Sequence, residues 1–221
     1  MITNKENEEY KEQNNDEYYF LDKDLKIRDI KEKLLFYTIK KEHDDILKSK
    51  TLKDACIYCK YYSLSSQQYG PLLEKYIIEK FMYKKNSAKD CIGDCSKNGN
   101  NYEIKISFGI SLNNNCKFNF VQLRLSKAQN CSFYILIAYH ICPENIEEKM
   151  GELYIFKVPK EELKKIVLLY GGYAHGTIKV NGKISSEIID NSTKNEYCIR
   201  PHINDECWNK LISFRVNEDS L

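Results

Sequence analysis

Apolar residues recur at helical spacing from Leu25 to Leu47, through Ile27, Ile30, Leu34, Leu35, Tyr37, Ile39 and Ile46, and the pattern predicts one or two helices there. A second helical piece runs from Leu52 to Tyr62 and gives out at the Ser, Gly and Pro of LSSQQYGP. Pro71 suits the first turn of a further helix, LLEKYIIEKFMYKK, with Leu72, Leu73, Tyr76 and Ile77 as its apolar stripe. Beyond residue 94 the period changes to two. Tyr102, Ile104 and Ile106 alternate with Glu103 and Lys105, and the alternation continues through Phe108 and Ile110 until Asn113 to Asn115 break it. FNFVQLRL, from Phe118 to Leu125, is expected to set Phe118, Phe120, Gln122 and Arg124 on one side, with Asn119, Val121, Leu123 and Leu125 on the other. SFYILIAYHI, from Ser132 to Ile141, is nearly all apolar and fits a strand buried on both faces. GELYIFKVP is a further strand stopped by proline. KEELKKIVLLYG supplies a short helix with Leu163, Ile166, Val167 and Tyr170 on one face and Gly171 as its stop. Helices followed by strands, a helix and mixed elements predict an α/β fold with a central mixed, largely antiparallel sheet flanked by helices.

The 221 residues fit one domain with room for a sizeable core. Residues 1–18 are polar and acidic, so a disordered or frayed start is expected, with a single domain over 19–221. Within it a helical part covers about 19–68, a core about 69–180 and a C-terminal extension about 181–221. Lys and Arg number 34 against 32 Asp and Glu; the acids crowd the first 24 residues, which leaves the remainder more basic than the net charge of +2 suggests. No apolar run reaches the length of a membrane span and no apolar h-region follows Met1, so neither a span nor a secretory leader is expected, and with them a cytoplasmic protein away from membranes. Nine cysteines then read as reduced thiols. Cys56 with Cys59, and Cys91 with Cys95, have spacings a zinc site uses, though isolated pairs are weak signals.

Candidate chemistry centres on GDCSKNGNNYEIKIS. If the Asn-Gly turn folds this stretch into a hairpin, Asp94 returns to the side of Glu103 and Lys105. Close carboxylates repel unless a cation lies between them, and hard divalent cations such as Mg2+ take such oxygen ligands. A half-exposed strand with charges on its solvent face shows the same local pattern. Glu79, about 20° around the helix from Leu72 in 3.6-residue geometry, either reaches this site or is solvated beside Lys75.

A helix carrying a Glu, an Asp after glycine, Glu-x-Lys on the next strand, a strand with Gln and then a hydrophobic strand: this order resembles the PD-(D/E)xK nuclease core. More narrowly, YEIKIS, NFVQLRLS, the GELYIFKVP strand and GGYAHGT look like type II restriction endonucleases, over about residues 69–180. The resemblance implies a restriction-endonuclease-like core in which Asp94 and Glu103 hold Mg2+ and Lys105 positions the attacking water, with Gln122 and Glu79 as further catalytic-site groups. No proline precedes Asp94, and Asp90 is the alternative first ligand. The implied reaction is sequence-specific hydrolysis of double-stranded DNA by a homodimer, leaving 5′-phosphate and 3′-hydroxyl ends. A repair or recombination nuclease on the same core and a noncatalytic DNA-binding module are the alternatives. DNA contacts are expected from Arg124, Lys127, Tyr173, His175, Thr177 and Lys179, with Arg200 and His202 weaker candidates and Trp208 in the core.

Overall fold

The computed structural model describes residues 40–87, 89–112, 115–140, 151–174 and 183–221. The chain divides into two compact units, Met1–Asp44 and Asp45–Leu221. In the first, residues 40–44 are helical; the expected frayed start and the helical segment up to residue 39 lie outside the described residues. The second unit carries the fold described below.

Six strands form its central sheet in the order β1-β2-β3-β7-β8-β11. These are β1 (Lys84–Lys85), β2 (Cys95–Lys97), β3 (Asn100–Phe108), β7 (Phe133–His140), β8 (Glu152–Pro159) and β11 (Arg215–Val216). The pair β3 and β7 is parallel, and each other neighbour is antiparallel. A parallel pair needs a crossover, commonly helical. Here the connection is instead built from the hairpin of β4 (Ile110–Leu112) with β5 (Asn115–Lys117), followed by β6 (Phe120–Leu123). The fold is thus α/β with a mixed sheet flanked by helices.

Strand alternation divides the core into two layers. Ile135, Ile137 and Tyr139 join Tyr102, Ile104 and Phe108 against helices α1 (Leu52–Tyr61) and α2 (Ser66–Lys80). On the other face Tyr134, Leu136 and Ala138 pack with Phe156, Val158 and helix α3 (Lys160–Tyr170). Tyr134 to Tyr139 are all fully buried, so the apolar run is the two-sided central strand its composition predicts. Each large side chain buried in this way stabilises the fold by roughly 1.5–3 kcal/mol. A small sheet of β6, β10 (Tyr197–Ile199) and β9 (Gly172–Tyr173) also covers the second face. There α4 (Glu206–Ile212) presents Trp208, stacked on Phe118 with ring centroids 5.1 Å apart. Trp208 is a core residue, as expected.

Two boundaries differ from expectation. α2 begins at Ser66, so Pro71 lies inside the helix and not in its first turn. Gln68 Oε1 accepts from both the backbone N and the hydroxyl of Ser65, at 3.0 and 2.9 Å. These bonds fix the start five residues earlier than proline alone suggested. On β6 the alternation fails at Gln122, whose φ is +56°. Phe118 and Phe120 are buried before it and Leu123 and Leu125 after it, while Val121 and Gln122 are exposed. The extra residue makes a bulge against Tyr197 and Ile199 and shifts the phase of the strand by one.

Candidate active site

The β2–β3 hairpin turns through Asn98 and Gly99, both at positive φ, as the Asn-Gly pair predicts. Its pairs run Lys97↔Asn100, Ser96↔Asn101 and Cys95↔Tyr102. Extended by one step, the register sets Asp94 across from Glu103. At that step β2 leaves the sheet. Gly93 has φ +88°, and a Cβ there would lie 2.5 Å from the carbonyl oxygen of Tyr102, so glycine is required for the chain to pass so close. Asn86 braces the exit through bonds to the carbonyls of Asp94 and Gly93.

Asp94 then turns its carboxylate onto β3, where Oδ2 accepts from the backbone N of Ile104 at 2.7 Å. Asp90, the alternative first ligand, is exposed. Glu103 and Lys105 are neighbours on one face of β3, with Lys105 Nζ 2.5 Å from Glu103 Oε1. Their side chains are only 11% and 19% exposed respectively, so the pair is not a solvent-side decoration. Burial pushes the Glu103 carboxyl above its ordinary pKa range, Lys105 pulls it down, and the charge of Asp94 pushes it further up.

The helix carboxylate that shares this field is Glu74. Its carboxyl is raised by burial first and by Asp94 next, while Lys85 and Lys105 oppose the shift and Glu103 adds to it. Lys85 Nζ stands 4.0 Å from its Oε1. Glu79 is instead on the exposed side of α2, paired with Lys75 at 3.8 Å. The error came from anchoring the stripe on half-buried Leu72. Counted from the buried residues Tyr69, Leu73, Tyr76, Ile77 and Ile78, Glu74 falls between Ile77 and Ile78 around the helix and Glu79 lies outside the stripe.

Gln122 is drawn away from the cluster: its side chain is exposed on the β6 bulge and makes no hydrogen bond among the described residues. Arg124, two residues on, does lie within the field of Glu103. Its Nε and Nη2 both donate to Glu196 Oε1, at 2.9 and 2.7 Å. Lys127 is well exposed and pairs loosely with Asp190 at 3.7 Å. Tyr173 turns inward, its hydroxyl buried without a partner among the described residues and its ring 5.5 Å from that of Tyr197, so it does not present a polar group to a groove. His175, Thr177 and Lys179 lie outside the described residues. Arg200 is tied to Asn119, and the Nδ1 of His202 is buried without a partner among the described residues.

The eight described cysteines are free thiols. Cys56 and Cys59 are packed in the helical layer, and burial raises both, Cys59 to about 12. Among the described residues no group of three or more His, Cys, Asp and Glu side chains forms a metal cage. Asp94 and Glu103 do fit Mg2+, which is commonly held by one or two carboxylates with water and phosphate oxygens completing the shell. One oxygen of each is committed inside the protein and the other, Asp94 Oδ1 and Glu103 Oε2, has no protein donor among the described residues. In comparisons with known proteins, no family model, curated protein or solved structure matches the chain.

Proposed function

We propose that this chain is a Mg2+-dependent endonuclease of the PD-(D/E)xK kind, on a restriction-endonuclease-like core, that cuts duplex DNA at a short specific sequence as a type II restriction enzyme does. The observation that carries the reading is the largely buried Glu103–Lys105 pair with Asp94 turned against the same strand. A buried ion pair beside a second carboxylate is costly to maintain for stability alone, because desolvation offsets much of the attraction. Its retention is accounted for by chemistry at a phosphodiester.

Asp94 Oδ1 and Glu103 Oε2 are the oxygens that would hold Mg2+, which supplies Lewis-acid stabilisation of the phosphoryl charge when bound. Lys105 brings a fixed positive charge to the nonbridging oxygens and orients the attacking water, and its pairing with Glu103 holds the ammonium in place before substrate arrives. Glu74 adds a second-layer carboxylate that strengthens the attraction for cations. Arg124, pinned by Glu196, stands where a backbone phosphate beside the scissile one would pass. Two related sites are needed to cut both strands of a palindrome, and a symmetric dimer provides them.

Digestion of bacteriophage DNA with Mg2+ tests the reading. Discrete fragments with 5′-phosphate and 3′-hydroxyl ends are expected. A smear that starts from ends or nicks would favour a repair nuclease, and uncut DNA at every Mg2+ concentration would favour a noncatalytic binder.

A further inference from the structure

Arg124 is held at both ends. It follows directly on β6, which pairs antiparallel with β10 through Tyr197↔Leu123. Extended by one step, that register sets Glu196 across from Arg124, as opposite charges on neighbouring strands prefer. The guanidinium donates through Nε and Nη2 to one oxygen, Glu196 Oε1, at 2.9 and 2.7 Å. Glu196 is itself fixed in the small sheet, where its backbone carbonyl accepts from the N of Ala174 at 2.8 Å.

The backbone of Arg124 is fixed by Tyr134. Tyr134 is the register partner of Glu103 in the parallel pair of β3 and β7, so the two side chains stand on one face of the central sheet. Its ring is fully buried and its hydroxyl donates to the Arg124 carbonyl. One buried side chain thus links the strand beside Glu103 to the backbone that carries the arginine. The guanidinium pKa is raised chiefly by the bond to Glu196, with burial opposing, and the charge of Glu103 adds to the rise.

The edge left free has a shape that suits a phosphate. Arginine carries five N–H donors in a planar fork. Glu196 occupies the Nε–Nη2 edge, and the Nη1–Nη2 edge has no acceptor among the described residues. The Arg124 side chain is 58% exposed against 21% for Glu196, so an approaching anion meets the guanidinium before the carboxylate. An ion pair this open to water contributes little to stability. What it does is hold a long side chain in one orientation, so that binding an anion no longer has to order it.

We propose that Glu196 is a positioning residue for DNA binding: it holds Arg124 with the free Nη1–Nη2 edge turned to clasp two oxygens of the backbone phosphate next to the scissile one, while Tyr134 fixes the strand beneath. The proposal rests on the nuclease reading for its ligand and adds an acid whose role is to help bind a polyanion. A bidentate contact of this kind sets the register of the duplex and carries no sequence information.

Glu196→Gln and Glu196→Ala remove the same charge, but only glutamine keeps an oxygen for the Nε and Nη2 donors. Affinity for a mixed-sequence duplex, measured in EDTA by fluorescence anisotropy over a range of salt, separates the two. Glu196→Ala is expected to bind about five- to tenfold more weakly than Glu196→Gln, as ordering one long side chain on binding entails. Arg124→Ala is expected to erase that difference and to lower the slope of log affinity against log salt by about one. Equal affinity of the two Glu196 variants overturns the proposal, as does a difference that survives Arg124→Ala or a duplex that the wild type does not bind. Cleavage by the wild type together with equal affinity of the Glu196 variants sinks the positioning role alone; the expected affinities with DNA never cut in Mg2+ sink the nuclease reading alone.

Discussion

Glu103 carries opposing forces that set what happens when its neighbours change. Burial disfavours its charge and Lys105, 2.5 Å away, restores it. Removing Lys105 strands a largely buried carboxylate, so Lys105→Met is expected to lose stability by roughly 1–3 kcal/mol at neutral pH, while Lys105→Met combined with Glu103→Gln regains most of it. Urea unfolding of the two variants checks this; equal stability would mean that the pair is not coupled. The loss follows from burial that strand alternation alone does not reveal, since the same alternation fits a charged solvent face and a gathered site equally well. Glu74 gives a pH signature. Its folded-state pKa is raised by burial and then by Asp94, so its contribution to stability is present below the ordinary glutamate range and is lost as pH rises through the raised value. Glu74→Gln should therefore match the wild type near pH 4 and exceed it in stability near pH 7.5, read from urea midpoints at the two pH values. A difference independent of pH would remove Glu74 from the shared field.

The β2–β3 hairpin is the element that turns three scattered residues into one cluster. Its sequence announced the turn, through Asn98-Gly99, and the alternation, through Tyr102 to Ile106. It did not announce that Gly93 lets β2 leave the sheet so that Asp94 docks on the backbone of Ile104. Gly93→Ala forces a β-carbon against the Tyr102 carbonyl at a positive φ, and a cost of roughly 1–3 kcal/mol is expected. Faster hydrogen exchange at the Ile104 amide should accompany it, because the Asp94 acceptor moves away; unchanged exchange there would show that Asp94 is held by something else. The helix α2 teaches the converse lesson. Its periodicity was plain, but counting half-buried Leu72 into its apolar stripe and leaving buried Ile78 out singled out Glu79 in place of Glu74. β6 failed in the same manner at the Gln122 bulge, where one left-handed residue reverses which side chains face the core.

In the whole molecule the strongly periodic and strongly apolar segments were legible: the α1 helix, the two-sided strand β7, the β8 strand and the α3 helix all lie where their patterns place them. The parallel pairing of β3 with β7 was not, because strand order depends on how a crossover packs and not on any one segment's composition. That pairing stands β3 beside the most buried strand and gives Glu103 its partly dry surroundings. The central claim is that Asp94, Glu103 and Lys105 act on one phosphodiester. Single-turnover cleavage of duplex DNA in Mg2+, by the wild type, Asp94→Asn, Glu103→Gln and the double variant, tests it most directly. Each single change is expected to slow cleavage by about 100-fold or more, and the double variant to be little slower than either, as groups acting as a unit behave. Near wild-type cutting by either single variant, or losses that simply multiply, would contradict it.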